Sequence, residues 1–192
     1  STLFPYTTLF RSAGQKPSPG VVEYRPAASR WADHATAQRW LALPGESVVT
    51  TARGHPWSEV SWAFPSNGVL AKTLSLEMIA GDPSSRRRLE TQILHQDGES
   101  WQAYTYRWNE AQTDADLVGA AGETLALQVR DAAAPGGVRE QTWRFHSRAE
   151  CLRCHNFWPG TALAFGWDSL RTKPLTGSAK TELERLVDLG LL

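Results

Sequence analysis

The chain lacks a net charge: across 192 residues, 20 lysines and arginines stand against 20 aspartates and glutamates. Balanced charge spread along the sequence leaves no electrostatic footprint for nucleic acid or an anionic membrane surface. It also lacks any long apolar run, with a mean hydropathy of -0.39, which excludes a transmembrane helix within this stretch. Cysteine is scarce, and two residues are too few for a disulfide-stapled scaffold. Methionine is scarcer, with one. What is present is apolar and aromatic: 41% hydrophobic residues and nine tryptophans exclude a disordered chain. The length suits one domain with a sizeable core.

The two ends read differently from the middle. Thr2 to Ser12 (TLFPYTTLFRS) resembles the frame translation of a common sequencing adapter, so residues 1–12 are expected to be non-native. Residues 13–24 open with AGQKPSPG and read as a linker rich in Pro, Gly and Ser. The chain stops on Leu189-Gly190-Leu191-Leu192, an apolar end that suggests a cut within a longer protein. On that expectation the sequence says nothing about a signal peptide. A β-rich domain is expected over residues 25–146 and a helical segment over 147–192.

Residues 29–43 (SRWADHATAQRWLAL) suggest a short helix ended by Pro44-Gly45. Beyond it strand signals dominate, over Val48–Thr51, Val60–Phe64, Val69–Ile79, Arg88–His95 and Trp101–Trp108. Alternation places Leu70, Leu74, Leu76 and Met78 on one face of the third of these, and Tyr104, Tyr106 and Trp108 on one face of the last. After a loop over 109–122, Glu123–Arg130 turns Leu125, Leu127 and Val129 inward, and Val138–His146 follows a Pro-Gly-Gly turn. This spacing predicts a mainly β fold, an antiparallel sandwich or barrel-like domain. The period changes at Ser147: short helical pieces are expected over 148–156 and 166–170, and Thr181–Leu189 is amphipathic, with Leu183, Leu186, Val187 and Leu189 as its apolar stripe.

Both cysteines fall in one string, Cys151-Leu152-Arg153-Cys154-His155. C-x-x-C-H is the attachment signature of c-type haem: the thiols form thioethers to the two vinyl groups and the following histidine ligates iron. Residues three apart share a helix face, so both sulfurs reach one porphyrin edge. Three other readings compete. Zinc would need further ligands from distant histidines. A redox-active C-x-x-C would prefer a βαβ context that is missing here. A structural disulfide, or two inert thiols, is the last. On the haem reading Cys151, Cys154 and His155 should line one open apolar cleft roughly the size of a porphyrin, and the reading fails if the two sulfurs point apart into packed core.

The surroundings of the motif extend the signal. Trp143-Arg144-Phe145-His146-Ser147-Arg148-Ala149-Glu150 leading into Cys151–His155 resembles the haem-attachment block of a bacterial c-type cytochrome family with a β-rich region before the C-x-x-C-H. The family is typified by Shewanella-type dihaem cytochromes, and similar modules occur fused to sugar-dehydrogenase-like propellers. Other blocks are similar in order: Trp31-Ala32-Asp33, Arg39 to Pro44, Phe64-Pro65 with Gly68-Val69-Leu70, Lys72-Thr73, Glu90-Thr91, and Trp101 through Asn109 to Ala115. The resemblance spans roughly residues 25–170. It implies one covalent haem c on Cys151, Cys154 and His155, with His155 as the iron ligand. It further implies electron transfer in a periplasmic or otherwise extracytoplasmic compartment, with a dehydrogenase or second cytochrome domain as redox partner. His146 departs from the pattern, where proline is expected, and a second haem motif is absent from this stretch.

A sixth iron ligand is not evident. No Met or His follows His155; Met78 reads as core, and His34, His55, His95 and His146 are weak candidates. Arg144, Arg148 and Arg153 could meet haem propionates. Trp158, Phe165 and Trp167 could pack on the ring, with Gly160 and Gly166 easing the chain path. Arg86-Arg87-Arg88 reads as a surface charge run. No acid/base or nucleophile–base pair stands out, so catalysis by this chain alone is not expected. Two rival functions remain: a carbohydrate-binding sandwich using the Tyr104, Tyr106 and Trp108 stripe with a structural or zinc-holding C-x-x-C-H, or a five-coordinate haem sensor.

Overall fold

A computed structural model describes residues 9–10, 15–27, 31–53, 60–156, 160–173 and 180–192. Ten strands follow in order: β1 (Val21–Glu23), β2 (Thr36–Ala42), β3 (Thr50–Arg53), β4 (Val60–Ala63), β5 (Val69–Glu77), β6 (Arg86–Gln96), β7 (Trp101–Trp108), β8 (Ala115–Leu117), β9 (Glu123–Arg130) and β10 (Val138–Phe145). Three short helices close the chain, α1 (Arg148–Cys154), α2 (Trp167–Arg171) and α3 (Glu182–Asp188). The fold is mainly β with antiparallel pairing and a short C-terminal helical segment, as the spacing of strand and turn signals predicts.

Six strands form an open sheet in the order β1-β2-β5-β6-β7-β8, and β3–β4 and β9–β10 are separate hairpins. Register sets what each face carries, because residues directly opposite one another point to the same side. Trp40 pairs with Ala71, and Ala71 with Ile93. These join Val69, Tyr106, Trp108 and Ala115 in one core cluster, against which Leu9 and Phe10 pack. Leu41, Leu70 and Leu94 alternate with them and face the other way, meeting Val49, Trp62 and Phe64 from the β3–β4 region and Ala162, Phe165, Leu170 and Leu186 from the C-terminal segment. Farther along, Leu74, Leu76 and Leu89 meet Leu127, Val129, Trp143 and Phe145 of the β9–β10 hairpin. Each fully buried side chain of this size contributes about 1.5–3 kcal/mol.

The helix expected over 29–43 is not there: Thr36–Ala42 is strand β2. The segment supplies good helix formers, but it lies between β1 and β5 with both faces covered, so Trp40 and Leu41 are buried side by side. Burial on two faces erases the alternation that marks a strand, and tertiary pairing overrides propensity. The stretch read as linker also takes part in the sheet. Val21–Glu23 pairs with Trp40–Ala42, and the Gln15 side chain donates to Thr73 Oγ1 at 2.7 Å and Thr91 Oγ1 at 3.1 Å. Leu9 and Phe10, in the stretch expected to be foreign, are buried, with the Phe10 ring edge-on to Trp40 at 4.9 Å.

The amphipathic C-terminal helix is present, with a different stripe. Leu186 is fully buried and Leu183 partly so, but Val187 and Leu189 are exposed, and Leu191 and Leu192 pack into the core instead. Among the described residues, no helix is long and apolar enough to cross a membrane.

Candidate functional site

The C-x-x-C-H string begins as α1, a helix whose start is built from side chains on both sides. Ser147 caps it: its hydroxyl accepts from Glu150 N–H at 3.3 Å, and Glu150 returns a carboxylate oxygen to Ser147 N–H at 2.8 Å. Reciprocal caps of this kind satisfy two helix-end donors that would otherwise be orphaned. Arg144 reaches from β10 to grip both Glu150 oxygens at 2.9 Å and the Ala121 carbonyl at 2.8 Å. Hydrogen bonds from Ser147 and Arg144 hold the Glu150 carboxyl down at about 2. This engagement takes Arg144 away from the propionate role, while Arg148 lies over the Tyr104 ring at 5.4 Å and Arg153 is exposed.

The two thiols are free and stand in different surroundings. Cys151 is half-buried against β7, its Sγ 3.8 Å from Thr105 Oγ1, whereas Cys154 is exposed. Burial pushes the Cys151 thiol up, opposed by the Thr105 contact; the Glu90 charge adds to the rise and Lys72 works against it. Thr105 ends a cross-strand row, Arg39–Lys72–Gln92–Thr105, set by the registers of β2, β5, β6 and β7. Beside that row Glu90 is buried at 1% exposure, with Oε1 taking Gln92 Nε2 at 2.8 Å and Oε2 given no hydrogen bond. Burial pushes the Glu90 carboxyl up to about 7, with Lys72 and Gln92 acting in the opposite sense.

His155 closes α1 as its C-cap, with its N–H on the Cys151 carbonyl. Its Nδ1 lies 2.6 Å from the Thr161 carbonyl oxygen. A carbonyl only accepts, so Nδ1 carries the proton and Nε2 is the lone-pair nitrogen of the neutral ring. Metal-ligating histidines share this arrangement, in which the second nitrogen is fixed by a backbone carbonyl or carboxylate. Thr161 makes the contact from φ +41, a left-handed conformation that costs a β-branched residue on the order of 1–3 kcal/mol.

Cys151 and His155 line one cavity of about 70 Å³, together with Tyr24, Arg39, Lys72, Gln92 and apolar side chains of β5, β6, β7 and residues 162–164. That is room for about two waters, far below the several hundred Å³ of a cofactor pocket. Cys154 lies outside it. The expected single cleft shared by all three residues is therefore not formed: two of them share a cavity and the third faces solvent. The donor set nonetheless suits thioether attachment, with two reduced thiols one helical turn apart and an adjacent imidazole whose Nδ1 is already held. Neither sulfur is sealed in packed core.

The other candidates lie elsewhere. Met78, at the end of β5, lines a separate cleft of about 690 Å³ with Arg107, Trp108 and Leu127. His146 is exposed; His34 is exposed and stacks edge-on to Trp31 at 4.8 Å; and His95 Nε2 is 3.4 Å from Asn67 Oδ1. No histidine or methionine besides His155 lines the small cavity among the described residues. His55 and Trp158 lie outside the described residues. Phe165 is fully buried and Trp167 stacks at a tilt on Trp62, so both belong to the core beneath the helical segment. Of the proposed sugar-binding stripe, Tyr106 and Trp108 are 1% and 5% exposed and face the core, so it offers no aromatic platform. Among the described residues, no three His, Cys, Asp or Glu side chains gather to hold a metal ion. Arg39, Lys72, Thr105 and Thr161 carry no sequence signature; register and one backbone angle bring them to the motif. No protein-family model matches the chain, and no curated protein or solved structure matches it either.

Proposed function

We propose that this chain is a covalent c-type haem-binding electron-transfer module, with Cys151 and Cys154 as attachment points and His155 as iron ligand. The observation that carries the reading is His155: in a C-x-x-C-H string with both thiols free, its Nδ1 donates to the Thr161 carbonyl, which orients the ring and makes Nε2 the ligating atom. When bound, the haem supplies a one-electron iron couple, whose potential follows ligand basicity and burial. Attachment balances without an outside oxidant. Cys151 and Cys154 would each add their S–H across one vinyl double bond of the haem, sulfur to one carbon and hydrogen to the other, with no leaving group. The capped α1 holds Cys151 against Thr105 while Cys154 faces outward. The module would work in an extracytoplasmic compartment, passing electrons to or from a dehydrogenase or a second cytochrome domain.

Expression beside a c-type maturation system tests this. The expected product keeps its colour through denaturing electrophoresis, Cys151→Ala or Cys154→Ala each leaves one thioether and a shifted α band, and the double variant loses the haem. A colourless wild-type product with both thiols open to alkylation overturns the reading.

A further inference from the structure

We propose that the free edge of β9 takes up an extended acidic segment of a partner protein, which adds as a strand along residues 124–128 with one carboxylate on Arg87. The site is separate from the C-x-x-C-H string and does not depend on haem. β9 pairs with β10 along one edge only. At its far end the other edge is in use: Arg130 N–H donates to the Met78 carbonyl at 3.0 Å, and the Arg130 carbonyl accepts from Ala80 N–H at 2.8 Å. Both Arg130 groups therefore point away from β10. Backbone groups of an antiparallel pair alternate in direction along each strand, so those of Thr124, Ala126 and Gln128 also point away. Among the described residues they meet no backbone partner. The edge that holds residues 78–80 thus runs on unpaired for about 17 Å, a template for a further strand.

This edge forms one wall of a cleft. Ala126 and Gln128 line the space of about 690 Å³, with Met78, Leu89 and Leu125 as its apolar lining and three arginines beside them. The arginines are not equivalent. Arg88 lies over the Trp108 ring at 3.9 Å and donates to the Gln112 carbonyl at 2.7 Å. Arg107 is paired with Glu123 at 3.0 Å and stands opposite Asp116. Arg87 is half-buried and makes no hydrogen bond or ion pair with the described residues. It sits opposite Leu76, which is buried against the β9–β10 hairpin, so its side chain leaves β6 on the side that the hairpin covers. The carboxylates of the cleft gather on the β7–β8 side, where Asp116 and Glu123 flank Arg107 and Glu110 follows in the loop. The unmatched charge beside β6 is positive. An incoming strand turns alternate side chains toward the cleft, and the order apolar, acidic, apolar suits the lining and Arg87.

The probes are two synthetic pentapeptides, acetyl-Val-Thr-Asp-Thr-Val-amide and its counterpart with lysine at the centre, titrated into the isotopically labelled, haem-free full chain. The aspartate peptide should move the amide resonances of Thr124, Ala126 and Gln128 and bind about tenfold more tightly than the lysine peptide, the margin that one charge-assisted pair supplies. Arg87→Gln should remove that preference while the edge resonances still move. Ala126→Pro should abolish binding of both peptides, because it deletes an outward N–H that the hairpin with β10 does not use. Wild-type β9 amides that stay in place at millimolar peptide overturn the proposal, as does equal binding of the two peptides; neither result needs a variant. A folded A126P that binds as wild type does overturns it too. Failure to acquire haem sinks the electron-transfer reading alone, because this site is measured without it.

Discussion

At the scale of single residues the two motif cysteines differ in ways their spacing hides. Cys154 is exposed, while Cys151 is half-buried, touches Thr105, and has its thiol pushed up by burial. The thiolate is the reactive form, so burial slows Cys151 twice over, by limiting access and by pushing its thiol up. Brief treatment of the haem-free chain with iodoacetamide near pH 8 is expected to modify Cys154 well before Cys151, as read by peptide mass. Equal rates at the two sites would show that α1 does not hold Cys151 against β7. The string itself was legible because its chemistry is local: five consecutive residues specify thiols, spacing and imidazole. Its partners were not. Lys72 and Thr105 lie in unremarkable strand positions, and only the pairings of β5, β6 and β7 place them in one row. Thr161 is reached through a backbone angle that no residue pattern announces for a threonine.

At the scale of elements, α1 depends on a loop and a strand outside the motif. Gly122 sits at φ +68, and a Cβ there would meet Phe145 O at 2.8 Å and the Arg144 guanidinium at 2.6 Å. The glycine therefore makes room for Arg144 to reach Glu150, which belongs to the Ser147 cap. Gly122→Ala is expected to destabilise the fold by about 1–3 kcal/mol through strain and displacement of Arg144. Ser147→Ala should cost about 0.5–2 kcal/mol through the lost cap. Because both act on one network, the double variant should fall short of their sum in denaturant unfolding; full additivity would mean that the loop and the cap are independent. Legibility at this scale followed exposure. In β9, Leu127 and Val129 are buried between exposed neighbours, so alternation marked the strand. In β2 both faces are covered, Trp40 and Leu41 are buried in succession, and the Ala-, Gln- and Arg-containing stretch read as helix. In α3 the stripe is expected along the helix to Leu189, whereas the chain leaves the helix and packs the partly buried Leu191 and Leu192 against the core instead.

For the molecule as a whole, two carboxyls shifted in opposite directions set the dependence of stability on pH. Glu150 is held at about 2 in the fold against an ordinary 4.5, so its contribution is complete above 4.5 and is lost as the pH falls toward 2. Glu90 is raised from 4.5 to about 7, and there the sign reverses. Between those values the folded chain binds more protons than the unfolded one, so stability falls as pH rises and levels off beyond about 7. The groups facing Glu90 are Lys72 on β5, its cross-strand neighbour Arg107 on β7, and Cys151 on α1; Lys72 limits the rise without abolishing it. Asp82, Asp97 and Glu184 are also lowered, by hydrogen bonds at turns and a helix start, and reinforce the acid limb. Thermal unfolding of the haem-free chain should therefore show greatest stability near pH 5, declining on both sides. Glu90→Gln should flatten the limb between 4.5 and about 7, raising the melting temperature at pH 8 more than at pH 5. Arg144→Gln should lower stability at pH 7 more than at pH 3, because the stabilisation that its hydrogen bonds to Glu150 supply is complete above 4.5 and already partly lost at pH 3. A Glu90→Gln profile parallel to wild type across the whole range would place the Glu90 carboxyl in contact with water instead of buried beside Lys72 and Gln92.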